Sequence, residues 1–342
     1  MLLRLPALLI SAWLFAVTGG SAVLADQPRE IVVLETMHLP YLQDTTAAFR
    51  KALATLGHGE GEDVRFTVLN ADGQGEQAER LLAETLAERR PALVLSVATL
   101  ASRASRKLLK ESGIPQVFAV VADPVGEGFV ASIGARSNSN ITGVTHVIPA
   151  AAKLEVVAQS LTRNGSNMPV TLGLLRSTYP SATSEARQLL AQVQRFPQIR
   201  FKEMVFDYVA GDSGRKTMRD AALALVREQS DKLDGLWLPV GPNELDPDYV
   251  AALLAGTVPV VYSGNAKLVP DGVMLSMISD AEINGRTAAA LADAVLRGAP
   301  AGSIPVTRPD AFTVSLNVAT ATRLGAVVPS HILELAAGNI HH

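Results

Sequence analysis

The sequence predicts an α/β protein made of two doubly wound parallel-sheet lobes joined by a hinge. Three observations carry that expectation. Short, continuously apolar runs alternate with amphipathic helical stretches along almost the whole chain, as parallel strands covered on both faces require. The alternation closes near residue 145 and then starts again. The length, 342 residues, corresponds to roughly two domains of about 100–200 residues.

The elements follow in order. In the first series, strand 31–34 precedes a helix carrying Phe49, Leu53 and Leu56 and stopped by Gly57. Strand 64–69 is followed by a helix with Ala78, Leu81, Leu82, Thr85 and Leu86, which Pro91 ends. Strand 92–97, a helix with Ala101, Ala104, Leu108 and Leu109, strand 117–121 and strand 141–145 complete this half. The second series runs helix 152–161, strand 170–175, helix 183–193, strand 200–206 and helix 218–227. It continues with strand 234–238, helix 249–254, strands 258–262 and 273–278, helix 284–296 and strand 312–316.

Residues 1–25 read as a cleavable signal peptide: Arg4, an apolar run over 5–17, then small residues ending Val23-Leu24-Ala25. The run is too short to span a bilayer, which takes about 20 apolar residues. The mature protein is therefore expected in the periplasm. The chain has no cysteine, which excludes disulfides, thiolate metal sites, cysteine nucleophiles and a lipid-anchoring cysteine. Lys plus Arg number 30 against 33 Asp plus Glu, a balance that speaks against a nucleic-acid partner.

Motifs for catalysis or cofactors are missing. Gly73-Gln-Gly75-Glu-Gln-Ala78 follows a strand and opens a helix, but the next strand ends Leu95-Ser96-Val97-Ala98-Thr99 without the acid that would hold a ribose. It reads as a turn into a helix. The histidines show no zinc spacing, and neither a nucleophile elbow nor a Walker loop is present. The expectation is thus no catalytic residue, no metal and no cofactor.

Polar residues at strand ends remain. Thr36 and His38 follow the first strand and Thr99 and Ser102 the third. Asp123 follows the fourth, Asn140 and Thr142 lie at the fifth, and Asp280 follows strand 273–278. Ligands of open α/β sheets sit just outside the carboxyl ends of strands, where helix N-termini also attract anions. An aromatic such as Tyr41, Tyr179 or Trp237 is expected to cover the ligand's apolar part.

Taken in sequence, several segments resemble the type I periplasmic binding proteins of the ABC transporter substrate-binding family, the group linked to tryptophan and tyrosine uptake. They include the run from His38-Leu39-Pro40 to Leu56-Gly57, Asn70-Ala71-Asp72-Gly73, Ala98-Thr99-Leu100-Ala101 and Ala122-Asp123-Pro124-Val125-Gly126. The most specific is Asn138-Ser139-Asn140-Ile141-Thr142-Gly143-Val144. Asp234-Gly235-Leu236-Trp237-Leu238-Pro239, Ser276 to Asp280 with Gly285-Arg286, and Asn317 to Pro329 follow the same pattern.

The resemblance implies two lobes with three crossovers, residues 26–145 with 276–311 and residues 146–275 with 312–342. It implies a small molecule, amino-acid-like or aromatic, held between closing lobes, and a monomer that delivers it to a membrane permease of an ABC transporter. The competing expectation is a sensor that presents its loaded state to a membrane receptor or sensor kinase. By the resemblance Thr99, Asp123, Thr142 and Asp280 line the first lobe's side of the cleft, with Asp280 pairing an ammonium. The second lobe departs from the pattern: Val240-Gly241-Pro242 and Pro180-Ser181-Ala182-Thr183 stand where the family often carries more polar runs.

Overall fold

The computed structural model describes residues 28–161, 168–309 and 311–342. The expected signal peptide, 1–25, lies outside the described residues. Two sheets organise the chain. The first has the order β2-β1-β3-β4-β5 and is parallel throughout. Its strands are β1 (Arg29–Glu35), β2 (Val64–Asn70), β3 (Leu93–Val97), β4 (Gln116–Ala119) and β5 (Ile141–Val144). Helices α1 (Pro40–Thr55), α2 (Gly75–Glu88) and α3 (Thr99–Leu109) connect them.

The two-residue period of β1 explains why helices cover both faces. Ile31 and Val33 pack with Phe49 and Leu53 of α1, while Val32 and Leu34 pack with Ala78 and Leu82 of α2 and Ala101 of α3.

The second sheet has the order β12-β11-β10-β9-β8-β6-β7. Helix α4 (Ala150–Ser160) leads into it. Then come β6 (Val170–Ser177), α5 (Pro180–Gln192), β7 (Ile199–Phe206), α6 (Asp212–Gln229), β8 (Gly235–Trp237), α7 (Pro242–Leu245), α8 (Pro247–Leu254) and β9 (Val260–Tyr262). The chain continues through β10 (Leu275–Ile278), α9 (Ala281–Leu296), β11 (Thr313–Asn317), α10 (Val318–Arg323), α11 (Ser330–Leu335) and β12 (Ile340–His341). Leu172 and Leu174 of β6 face Leu154, Val157 and Leu189; Leu175 faces the opposite core with Met218 and Ala222. The two doubly wound lobes read from the sequence are therefore present.

The sheet is not parallel at one edge. Strand β11 runs antiparallel to β10, because the chain re-enters the second sheet from the first lobe rather than through a helical crossover. The chain passes between the lobes at three places. Residues 145–149 lead from β5 to α4, Ser279 and Asp280 lead from β10 to α9, and the segment after Thr307 leads to β11. Strand β10 belongs to the second sheet, whereas α9 packs on α1 of the first lobe. That helix pair is very close. A Cβ on Gly285 would stand 2.5 Å from the Thr45 carbonyl oxygen and 2.6 Å from Ala48 Cβ. Only a residue without a side chain lets the two backbones approach so far.

Candidate functional site

The carboxyl ends of both sheets face each other, and the loops there form the cleft. Two backbones on the first lobe's rim are unusual: Ala98, after β3, has φ +70° and Val120, after β4, has φ +60°. A β-branched residue rarely takes a positive φ, and such conformations cluster where a site imposes them.

Thr36 is fully buried; its hydroxyl donates to the Val97 carbonyl at 3.0 Å and accepts from the Ala101 amide at 3.0 Å. Tyr179, at the end of β6, crosses from the second lobe into the first lobe's core, with its phenol toward Thr36. Burial raises that phenol's pKa well above the ordinary value. Tyr179 meets Tyr208 edge-to-face at 4.8 Å, and Tyr208 Oη donates to the Gly73 carbonyl of the first lobe at 3.0 Å. Gly73 has φ +75°, and a Cβ there would fall 2.3 Å from that hydroxyl. The glycine of the apparent dinucleotide motif is thus explained by a turn and a contact between lobes.

Further bonds join the rims. Asp123 accepts from Ser184 Oγ, and Arg187 Nη2 lies 3.3 Å from the same carboxylate oxygen. Arg215 donates to the His38 carbonyl at 3.2 Å, and Lys267 lies 3.6 Å from Asp44. The lobes are therefore in contact across the cleft. In the middle of the cleft only small voids of about 20–30 Å³ remain.

The void beneath the hinge is the most polar. Tyr41, His146, Lys153, Glu185, Glu244 and Tyr262 surround it. Lys153 Nζ lies 2.6 Å from Glu185 Oε1, with both side chains almost wholly buried. The other Glu185 oxygen accepts from the Val240 amide. Glu244 Oε2 accepts from the Gly241 amide at 3.3 Å. Burial, and then the neighbouring Glu185 charge, push the Glu244 carboxyl up to about 8. Burial and Lys153 push the His146 imidazole down to about 3, so the ring is neutral near pH 7. Beside this void a groove of about 570 Å³ opens between α1 and the α7–α8 region, with Tyr41, Leu245 and Ile278 lining both spaces.

The ten sequence-predicted site residues divide. Thr99 and Tyr179 line a small void of the cleft, Thr36 is buried in the first lobe behind the Tyr179 phenol, and His38 and Asp123 stand at the rims. Asp280 lines the groove, but its carboxylate caps α9 by accepting from the Glu282 amide at 2.6 Å. The other four lie away from the cleft. Ser102 is sealed in the first lobe, bonded to Ser96 Oγ at 3.0 Å and the Ala98 carbonyl at 2.8 Å. Asn140 precedes β5, so it sits at the amino end of the strand, donating to the Leu109 and Ile114 carbonyls at 2.6 and 2.7 Å. Thr142, early in the same strand, donates to the Ile304 carbonyl at 3.1 Å. Trp237 is wholly buried in the second lobe, stacked on Tyr262 at 4.3 Å and edge-to-face with Phe201 at 5.4 Å.

Sequence reasoning did not single out His146, Lys153, Glu185 or Glu244. A signal exists for two of them: Lys153 sits among Ala150, Leu154 and Val157, and Glu185 among Ala182, Ala186 and Leu189. Opposite charges on two successive apolar helix faces call for a buried pair.

Two hinged lobes, each a doubly wound sheet with its carboxyl ends turned to a common cleft, define the type I solute-binding fold. The family model described as ABC transporter substrate binding protein matches residues 30–164, and the resemblance read from the sequence is borne out. A tyrosine-binding protein from Clostridioides difficile (strain R20291) is 23% identical over 316 residues, covering 92% of this chain and 84% of that one. An ABC domain in complex with L-Trp from Streptococcus pneumonia superposes with a TM-score of 0.75 at 20% identity, covering 91% of this chain and 99% of that one. A conserved domain protein from Vibrio cholerae gives the same TM-score and identity over 92% of this chain and 100% of its own.

Proposed function

We propose that the protein is the periplasmic solute-binding component of an ABC transporter, exported by the segment 1–25 and delivering a small molecule to a membrane permease. One observation carries this reading beyond the family likeness. Besides Tyr179, which inserts into the first lobe's core, the lobes are joined at the rims by a few polar contacts, Tyr208 to Gly73 and Asp123 to Ser184 and Arg187. Contacts of that kind contribute about 1 kcal/mol each, so a ligand touching both lobes shifts the balance between open and closed states. Drug-sized ligands occupy roughly 300–1,000 Å³. The central voids are far smaller, so such a ligand enters with the lobes further apart or uses the adjoining groove.

Thr36, Thr99 and Tyr179 line the chamber in this reading, His38 and Asp123 act in closure, and Asp280 holds the end of α9 at the groove. Solution scattering of the mature protein tests it. Loading with a molecule that raises the melting temperature shrinks the radius of gyration. An unchanged radius with a calorimetrically proven ligand contradicts capture by closure.

A further inference from the structure

The protein fills the middle of its own cleft. Tyr179 follows β6 of the second lobe, yet its ring is only 3% exposed and packs in the first lobe's core. Among the described residues it is the one buried hydrophobic side chain of the second lobe in that core. The others come from β1 to β5, α1, α9 and the segments beside them. Met37, Leu39, Leu42, Ala98 and Val120 of the first lobe share the space with the ring, and only about 30 Å³ stays open there. Ala98 and Val120 are the two rim residues with positive φ, a backbone strain that persists where the surrounding structure holds a shaped wall.

The second lobe aims the ring. Pro180 opens α5 directly after it, the Tyr179 amide donates to Ser177 Oγ at 3.4 Å, and the Tyr179 carbonyl accepts from the Thr183 amide at 3.0 Å. All of these bonds lie within the second lobe, so the side chain moves with that lobe as a fixed projection. Its phenol points to Thr36 and lies near the Arg103–Glu127 ion pair of the first lobe. Tyr208 flanks the ring edge-to-face at 4.8 Å and donates to the Gly73 carbonyl across the cleft.

Packing of this kind differs from packing inside one lobe, because it is made and broken as a unit when the lobes move. Burying an aromatic ring favours the closed arrangement with no solute present. We infer that Tyr179 is a built-in latch: its ring occupies a phenol-sized pocket on the first lobe, holds the empty lobes together and gates the middle of the cleft. A solute reaches that space only while the ring is withdrawn. The contacts of Asp123 with Ser184 and Arg187 close the rim around the inserted ring. The latch is a property of the ligand-free protein, and the solute-binding reading survives its loss.

The chain has no cysteine, so two introduced ones are the only labelling sites. Glu76→Cys on α2 and Thr217→Cys on α6 place spin labels at exposed positions, one on each lobe. Pulsed electron resonance on the ligand-free mature protein then reads the distance between the lobes. The latch predicts a single short distance, unchanged in Tyr179→Phe, which keeps the ring. Tyr179→Ala should shift the open-to-closed ratio by about tenfold or more toward a longer distance, with the circular dichroism of a folded protein. p-Cresol, the lost side chain as a free molecule, should return Tyr179→Ala to the short distance and leave the unmodified protein as it was. A long distance in the unmodified ligand-free protein overturns the latch. So does a folded Tyr179→Ala that stays short, or a long population that p-cresol does not reduce. Failure of Tyr179→Ala to fold also overturns it, because a latch is dispensable to the core of either lobe.

Discussion

Replacing Glu244 by Gln should change how stability depends on pH, with a sign that the structure fixes. The folded carboxyl is pushed up to about 8 from its ordinary value of 4.5, chiefly by burial. Between those values the folded protein holds a proton that the unfolded chain has released, so stability falls as pH rises. His146 acts in the opposite sense: its imidazole, pushed down to about 3 from 6.5, makes stability rise with pH up to about 6.5. Below 6.5 the two slopes offset each other. From pH 6.5 to 8 Glu244 acts alone. Each unit of pH contributes at most about 1.4 kcal/mol, and the slope halves near the folded pKa, so the loss over this window is about 1.5 kcal/mol. For a chain of 342 residues that is about 2 °C in melting temperature. Thermal unfolding of the ligand-free protein followed by circular dichroism at pH 6.5, 7.25 and 8 reads it directly. The unmodified protein should lose stability across the series. Glu244→Gln should be flat, and the more stable of the two at pH 8. Parallel slopes for both proteins would refute the reasoning.

Other perturbations have equally definite outcomes. Lys153→Met leaves Glu185 buried without its cation and should cost about 3–5 kcal/mol by denaturant unfolding, while Lys153→Met with Glu185→Leu should recover most of that loss. Gly285→Val drives a side chain into the backbone of α1 and should cost about 3 kcal/mol or more, seen as a lowered melting temperature or loss of soluble protein. Tyr208→Phe removes the bond to Gly73 and, at about 1 kcal/mol, should weaken ligand binding by several-fold and enlarge the ligand-free radius of gyration. Trp237→Phe should lower stability by about 1–3 kcal/mol but leave ligand affinity within about twofold, because the indole lies in the second lobe's core behind Tyr262.

The parts legible in the sequence were those governed by local pattern. The continuous apolar runs of β1, β3 and β6 and the stripes of α1 and α9 point to sheets covered on both faces, which is how Ile31 and Val32 come to serve opposite cores. The antiparallel pairing of β11 with β10 was not legible, because Thr313–Asn317 carries no trace of which strand it will meet. The binding side was harder for a geometric reason. Strand ends were assigned by position, but β5 begins at Ile141, so Asn140 and Thr142 fall at its amino end and hold loops together instead of facing the cleft. Trp237 ends its strand, yet the indole turns into the sheet's covered face. The polar void depends on side chains from α1, the hinge, α4, α5, α7 and β9, and no spacing in the chain joins Tyr41 to Glu244.

The central claim is that this protein carries a small molecule between its lobes, and mass spectrometry of what the purified mature protein releases on denaturation tests it most directly. The account predicts one compound, near one equivalent per chain. A protein that releases nothing, and whose melting temperature no amine, amino acid or neutral metabolite raises, would contradict it.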